Sequence, residues 1–195
     1  MLCKIYYNLD IYFYNSFLDY YLGNRKKIKL GGIKMKFTKE FTDQARKVIH
    51  KQSIPPVYNP AEWEHLKFNC YSYALQLKIS IESRQLPIGF TTGKIARKID
   101  YTAKFVLEQF FIDCKNLKLN CSEIQIDDRI KKNEYKVALY VWENFSYHLK
   151  RQDSNGMWSE KRGWLDPITI VKEEEILKDE LYKFVGLFKI SKKEE

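Results

Sequence analysis

The residue pattern implies an α+β fold, with helices first and an antiparallel β-meander after them. Two observations carry this. Between Thr38 and Cys114 the apolar residues recur at helical spacing, broken by Pro- and Gly-bearing connectors. From Tyr135 onward they alternate in short runs separated by turn residues, which is the period of strands. Helical segments followed by antiparallel ones give the α+β pattern.

Thr38 is placed to cap a first helix whose apolar positions are Phe41, Ala45, Val48 and Ile49. "SIPPVYNP" (53–60) ends it, since its prolines cannot continue a helix. A second helix is expected from about Tyr71 to Ile81, with Cys70 immediately before it. "RQLPIGFTTGK" (84–94) reads as a loop, and a third helix sets Ile99, Ala103, Val106, Leu107, Phe110 and Cys114 on one side. Strands follow at 135–142, 145–152, 157–164 and 181–190. The first three are joined by "EN" and "DSNG" turns.

A chain of 195 residues with 45% hydrophobic content can bury a core as one domain. The formal charge is +9, of which residues 1–34 supply six Lys or Arg against two Asp. "LGGIKM" (30–35) can be encoded with a purine-rich AGGAGG a few bases before the Met35 codon. Translation is therefore expected to start at Met35. Residues 1–34 are then a non-native upstream extension, and 35–195 form a single domain. The apolar stretch near the N-terminus is interrupted by Asn8, Asp10, Asn15 and Asp19, so stable membrane insertion is not expected. It lacks the features of a secretory signal, so the cytoplasm is the expected location, with export by another route the alternative.

Cys3, Cys70, Cys114 and Cys121 form no CxxC pair, and no histidine stands at ligand spacing. Neither a zinc site nor any other cofactor is implied, and scattered thiols in a chain of this size read as reduced. Lys67, Arg84, Lys94, Arg97, Lys98, Arg151, Lys161 and Arg162 are the candidate basic surface. They form no stripe and match no nucleic-acid motif, so a nucleic-acid partner is not expected.

The chemistry-bearing candidates come from strand alternation. A two-residue Glu143–Asn144 turn would pair Leu139 with His148 and put His148 on the face of Val137, Leu139 and Val141. That apolar face is expected to pack on the helices, turning His148 toward Cys70. A three-residue loop in "DSNG", with Gly156 in the left-handed position, pairs Lys150 with Glu160 and brings Glu160 beside His148. A two-residue loop would bring Ser159 there instead. A thiol at a helix start, an imidazole and a carboxylate form a nucleophile, a base and an orienting group. Free cysteine is also among the most buried residue types, so an inert core thiol is the competing reading. Cys114 and Cys121 are read that way. His50 at a helix end favours the helix dipole, and His65 is read as surface or packing.

"NCYSYAL", followed by "KVALYVWENFSYHLKRQDSNGMWSEKRG" and then "YKFVGLFKIS", resembles a little-characterised bacterial and phage family. Its pattern runs N-C-Y-x-Y-A-L, then K-V-A-L-Y, then Y-H-x-Y-R-Q-D-x-x-G-x-W-S-H-K, then a closing F-V-G-x-F strand. The likeness spans about residues 65–191. The order of Cys, His and polar residue on successive elements is similar to papain-like, NlpC-type cysteine hydrolases. The resemblance implies a papain-like fold and a thiol peptidase or amidase acting on a peptide, a peptidoglycan cross-link or a host protein. By it Cys70 is the nucleophile and His148 the base, while Glu160 stands where the family has its own histidine. "EKRG" also replaces the family's H-K-P-G. A catalytically inert papain-like binding module is the alternative.

Overall fold

The computed structural model describes residues 30–64, 68–79, 86–94, 100–163 and 165–193. In its first helix, side chains are described from Lys39 onward apart from Phe41. Backbone contacts divide the chain into two compact units, Met1–Lys34 and Met35–Glu195, and the sheet belongs to the second. The segment read as upstream apolar sequence, His65, and the basic candidates Lys67, Arg84, Arg97 and Lys98 lie outside the described residues. Among the described residues, no helix is long and apolar enough to cross a membrane.

Helix α1 spans Leu30–Lys51. Thr38 therefore lies inside a helix rather than at its cap. Gly31 and Gly32 oppose helix only by about 1 kcal/mol each, and no proline stands upstream to stop it. Ala45 and Ile49 are buried, and His50 is exposed in the last turn. Helix α2, Ala61–Glu64, buries Trp63 edge-on against Phe68 and Tyr73, with ring centroids 5.5 and 5.1 Å away. Helix α3 is only Cys70–Ala74. Helix α4, Ala103–Asn116, starts at Thr102, whose hydroxyl accepts from the Phe105 N–H at 3.1 Å.

Six strands follow: β1 (Leu119–Ile124), β2 (Tyr135–Trp142), β3 (Ser146–Gln152), β4 (Trp158–Lys161), β5 (Ile168–Val171) and β6 (Lys183–Lys192). They form one sheet in the order β1-β6-β2-β3-β4-β5, antiparallel at every pairing. The fold is α+β. A meander runs through β2–β5 only; β6 returns to the other side of β2, with β1 outside it. The sheet is buried on both faces of β2. Val137, Leu139 and Val141 join Tyr147, Leu149, Phe188 and the helical residues Ile49, Tyr71, Val106 and Phe110 in the main core. Ala138 and Tyr140 pack instead with Trp158, Val171, Ile176 and Leu187.

The β2–β3 register corrects the expected one. Trp142 pairs with Ser146, Tyr140 with His148 and Leu139 with Leu149. The connecting loop has three residues, with Asn144 at φ 60° and the Phe145 N–H donating to the Trp142 carbonyl at 2.9 Å. This one-residue slip moves His148 to the face of Tyr140, away from Val137, Leu139 and Val141. The β3–β4 loop follows the expected form. Gly156 has φ 83°, the Asp153 N–H donates to the Met157 carbonyl, and Lys150 pairs with Glu160.

Candidate active site

Cys70 owes its position to two locks on α3. At the N-terminus the Asn69 side chain accepts from the Ser72 N–H at 2.9 Å and donates to the Leu86 carbonyl at 3.1 Å. At the other end the chain reverses through Gln76, at φ 57°. The Leu77 N–H reaches back to the Ser72 carbonyl at 2.8 Å and the Gln76 N–H to that of Tyr73 at 3.2 Å. This is the Schellman form of helix end, and it explains why the expected helix to Ile81 stops at Ala74. The side chains of α3 bind in three directions. The Tyr71 hydroxyl donates to Asp113 Oδ2 at 2.7 Å, the Tyr73 hydroxyl shares a hydrogen bond with Ser159 at 2.7 Å, and the Cys70 sulfur meets the Tyr147 carbonyl at 3.9 Å.

β3 and β4 pair only from Lys150 to Gln152, which leaves the Tyr147–His148 end of β3 beyond the last paired position. There the Cys70 thiol lies close enough to the His148 ring to favour its protonated form, while the sulfur's own hydrogen bond goes to the Tyr147 carbonyl. His148 is 2% exposed, with the rings of Tyr140 and Tyr182 centred 6.1 and 5.6 Å away. Its Nε2 lies 2.8 Å from Glu160 Oε2. The three candidates are thus brought together although the expected face of His148 was wrong. Glu160 reaches the ring diagonally along the same face.

Burial opposes a charge on His148, but the interactions of the protonated ring with Cys70 and Glu160, as hydrogen-bond acceptors and as negative charges, push its pKa up to about 9. Burial likewise opposes charge on Glu160, yet His148 and Arg162 pull it down to about 2. Both groups are charged at neutral pH. The histidine is raised from 6.5, so its contribution to stability is full below 6.5 and is lost as the pH rises through 9. The carboxylate is lowered from 4.5, so its contribution is full above 4.5 and is lost as the pH falls through 2. The pair is expected to stabilise the fold most between pH 4.5 and 6.5. Urea denaturation across pH checks this: His148→Gln should flatten the alkaline decline, and an unchanged profile would contradict it.

Ser159 is on the opposite face. Its hydroxyl donates to Asp153 Oδ2 at 2.5 Å and meets Tyr73, while Arg151 Nε binds Asp153 Oδ1 at 2.9 Å. The Arg151 guanidinium also lies over the Tyr73 ring at 3.8 Å and donates to the Tyr73 carbonyl at 2.8 Å. Arg151 and Lys161 are each 1% exposed, so neither belongs to the basic surface the sequence suggested. Their charges are used internally. Ser159→Ala is therefore expected to cost about 1–3 kcal/mol of stability, because Tyr73 and Asp153 lose a buried partner. A melting temperature unchanged from wild type would contradict this.

Sequence reasoning missed Asp113, which is fully buried. It accepts from Tyr71, from the Gly89 N–H at 2.6 Å and from both the N–H and hydroxyl of Thr91. An acid on the same helical face as Val106, Phe110 and Cys114 was the available signal. It also missed Lys150 and Asp179, joined at 3.1 Å beside Glu160. Cys114 is buried and Cys121 half-buried, both free thiols. Among the described residues, no three His, Cys, Asp or Glu side chains form a metal-binding group.

Cys70 is 5% exposed. Neither the cavity bordered by Ile54, Lys132 and Tyr135 nor that bordered by Ile126 and Leu177 includes the three residues. Comparison with protein-family models, curated proteins and solved structures finds no match to this chain.

Proposed function

We propose that the chain is a cysteine-dependent amide hydrolase of papain-like arrangement, acting on a peptide or a cell-wall amide. The observation that carries this is the His148 ring, held by the Glu160 carboxylate at 2.8 Å and close enough to the Cys70 thiol for the thiol to favour its protonated form. In the proposed reaction the Cys70 sulfur attacks the amide carbon and a C–S bond forms. The Cys70 N–H, in the first turn of α3, is one of the donors a helix leaves without an internal partner and contributes to the oxyanion site. The C–N bond then breaks as imidazolium His148 gives its proton to the leaving amine. Water attacks the thioester, His148 takes its proton, and the carboxylic acid leaves as the sulfur is released. Glu160 holds the ring and its charge throughout.

The 5% exposure of Cys70 favours a second reading, an inert binding module in which the same three residues are a satisfied buried network. Turnover of a panel of peptides and peptidoglycan fragments separates the two. Wild type is expected to cleave an amide that Cys70→Ala does not, and Glu160→Gln is expected to retain activity lowered by roughly 10²-fold or more. Equal turnover by wild type and Cys70→Ala would overturn the hydrolase reading.

A further inference from the structure

Glu160 is gripped from more sides than one histidine requires. Its Oε2 takes His148 Nε2 and its Oε1 takes Arg162 Nε, each at 2.8 Å. Lys150 Nζ stands 3.8 Å from the same Oε2, but lies nearer to Asp179 Oδ2, at 3.1 Å. Asp179 Oδ2 is also 3.7 Å from the second Arg162 nitrogen. Asp179 is itself fixed, since its Oδ1 accepts from the N–H groups of Leu181 and Tyr182 at 3.1 and 3.2 Å. The same segment brings Tyr182 against the His148 ring. The groups facing the His148–Glu160 pair are therefore Lys150 on β3, Tyr140 on β2, Arg162 after β4, Asp179 and Tyr182 before β6, and Cys70 on α3.

Lys150 and His148 compete for one carboxylate oxygen. A rotation of the carboxylate toward Lys150 would leave the ring without its anchor. Two contacts oppose that rotation: Asp179 draws Lys150 away, and Arg162 pins the oxygen that would have to swing. We propose that Arg162 is a positioning residue for the Cys70–His148–Glu160 set, binding Oε1 so that Oε2 stays on His148. Its consequence for reactivity rests on the hydrolase reading, whereas its effect on the ring does not.

Charge alone and positioning predict opposite signs. Removing a nearby cation would by itself raise the His148 pKa, because less positive charge opposes protonation. Losing the orienting grip would lower it, because the imidazolium loses its hydrogen-bonded carboxylate. The Arg162 side chain is 51% exposed, so its truncation opens no cavity and the variants should fold.

The test is a ¹⁵N NMR titration of the His148 ring in the full chain, for wild type, Arg162→Ala and Arg162→Lys. In Arg162→Ala the midpoint is expected to fall by about one pH unit or more, with the lysine variant between it and wild type. A midpoint that rises or stays in Arg162→Ala overturns the proposal. Iodoacetamide labelling of Cys70 at pH 6.5 runs in parallel as the separate check on the hydrolase reading, since a ring lowered by about one pH unit from about 9 is still a cation there. If the midpoint falls while Cys70 is unreactive even in wild type, Arg162 is a positioning residue and the hydrolase reading fails.

Discussion

His148→Ala is expected to lower alkylation of Cys70 at pH 6.5 by roughly 10²-fold, while leaving it readily alkylated at pH 9. An ordinary thiol is only about 1% ionised two units below its pKa of about 8.5, which sets the size of the loss once the imidazolium is gone. The ring that supplies the charge is held at about 9, so in wild type it remains a cation through the neutral range. His148→Ala also leaves Glu160 buried beside Arg162 without its ring partner. His148→Gln is the companion variant, because an amide can still donate to the carboxylate and preserve the packing. Both should lose labelling at pH 6.5. If the glutamine variant folds and labels like wild type, thiol and imidazole do not communicate.

Asp113→Ala is expected to destabilise the fold by about 3–5 kcal/mol, measured by urea denaturation. The carboxylate is a single buried acceptor for two separate segments: Tyr71 beside Cys70 on α3, and the 89–91 loop through both Gly89 and Thr91. Burial pushes its pKa up, and the hydrogen bonds from Thr91, Tyr71 and Gly89 pull it back. The loop cannot rearrange freely to find another partner. Gly89 has φ 84°, and a side chain there would collide with the Lys94 carbonyl oxygen. Asp113→Asn keeps an acceptor and should cost about 1–3 kcal/mol. A loss below about 1 kcal/mol in the alanine variant would contradict this account of the loop. The expected order also bears on the site, because Tyr71 is the neighbour through which α4 steadies Cys70.

Elements whose residues follow one clear period were legible. β2 is apolar throughout from Val137 to Trp142, and α4 shows its apolar face from Ala103 to Cys114. The Thr102 cap was not marked, and Ile99, expected on the same face, lies outside the described residues. β1 and β5 were not legible. β1 is an edge strand whose "LNCSEI" mixes polar and apolar residues, and β5 is four residues long after Pro167. The length of α3 was overestimated because Gln76 takes the left-handed position that glycine usually marks.

The site shows the same division. "DSNG" announced its loop, since Gly156 has one natural place in it, and Glu160 could be set beside His148 from that alone. "EN" announced nothing comparable. Asn144 suits a two-residue or a three-residue turn, and the choice between them decides the face on which His148 sits. Cys70 and His148 still meet, because β3 outruns its pairing with β4, which alternation along a single strand does not encode. The cations at Arg151 and Lys161 read as surface charge, and Lys150 had no partner read for it beyond its strand neighbour Glu160, because their partners are hidden from local sequence. Asp179 reaches Lys150 from the β5–β6 connection, and the Tyr73 carbonyl reaches Arg151 from α3.

Hydrolysis by this chain requires Cys70 to be an activated thiol and not a buried filler. Limited alkylation of the folded protein with iodoacetamide at pH 6.5, mapped by peptide mass spectrometry, addresses that point. Cys70 should carry the adduct well before Cys114 and Cys121, even though Cys121 is the more exposed of the three. Equal labelling of all three, or labelling of Cys121 with none at Cys70, would contradict the account and leave the inert module as the better description.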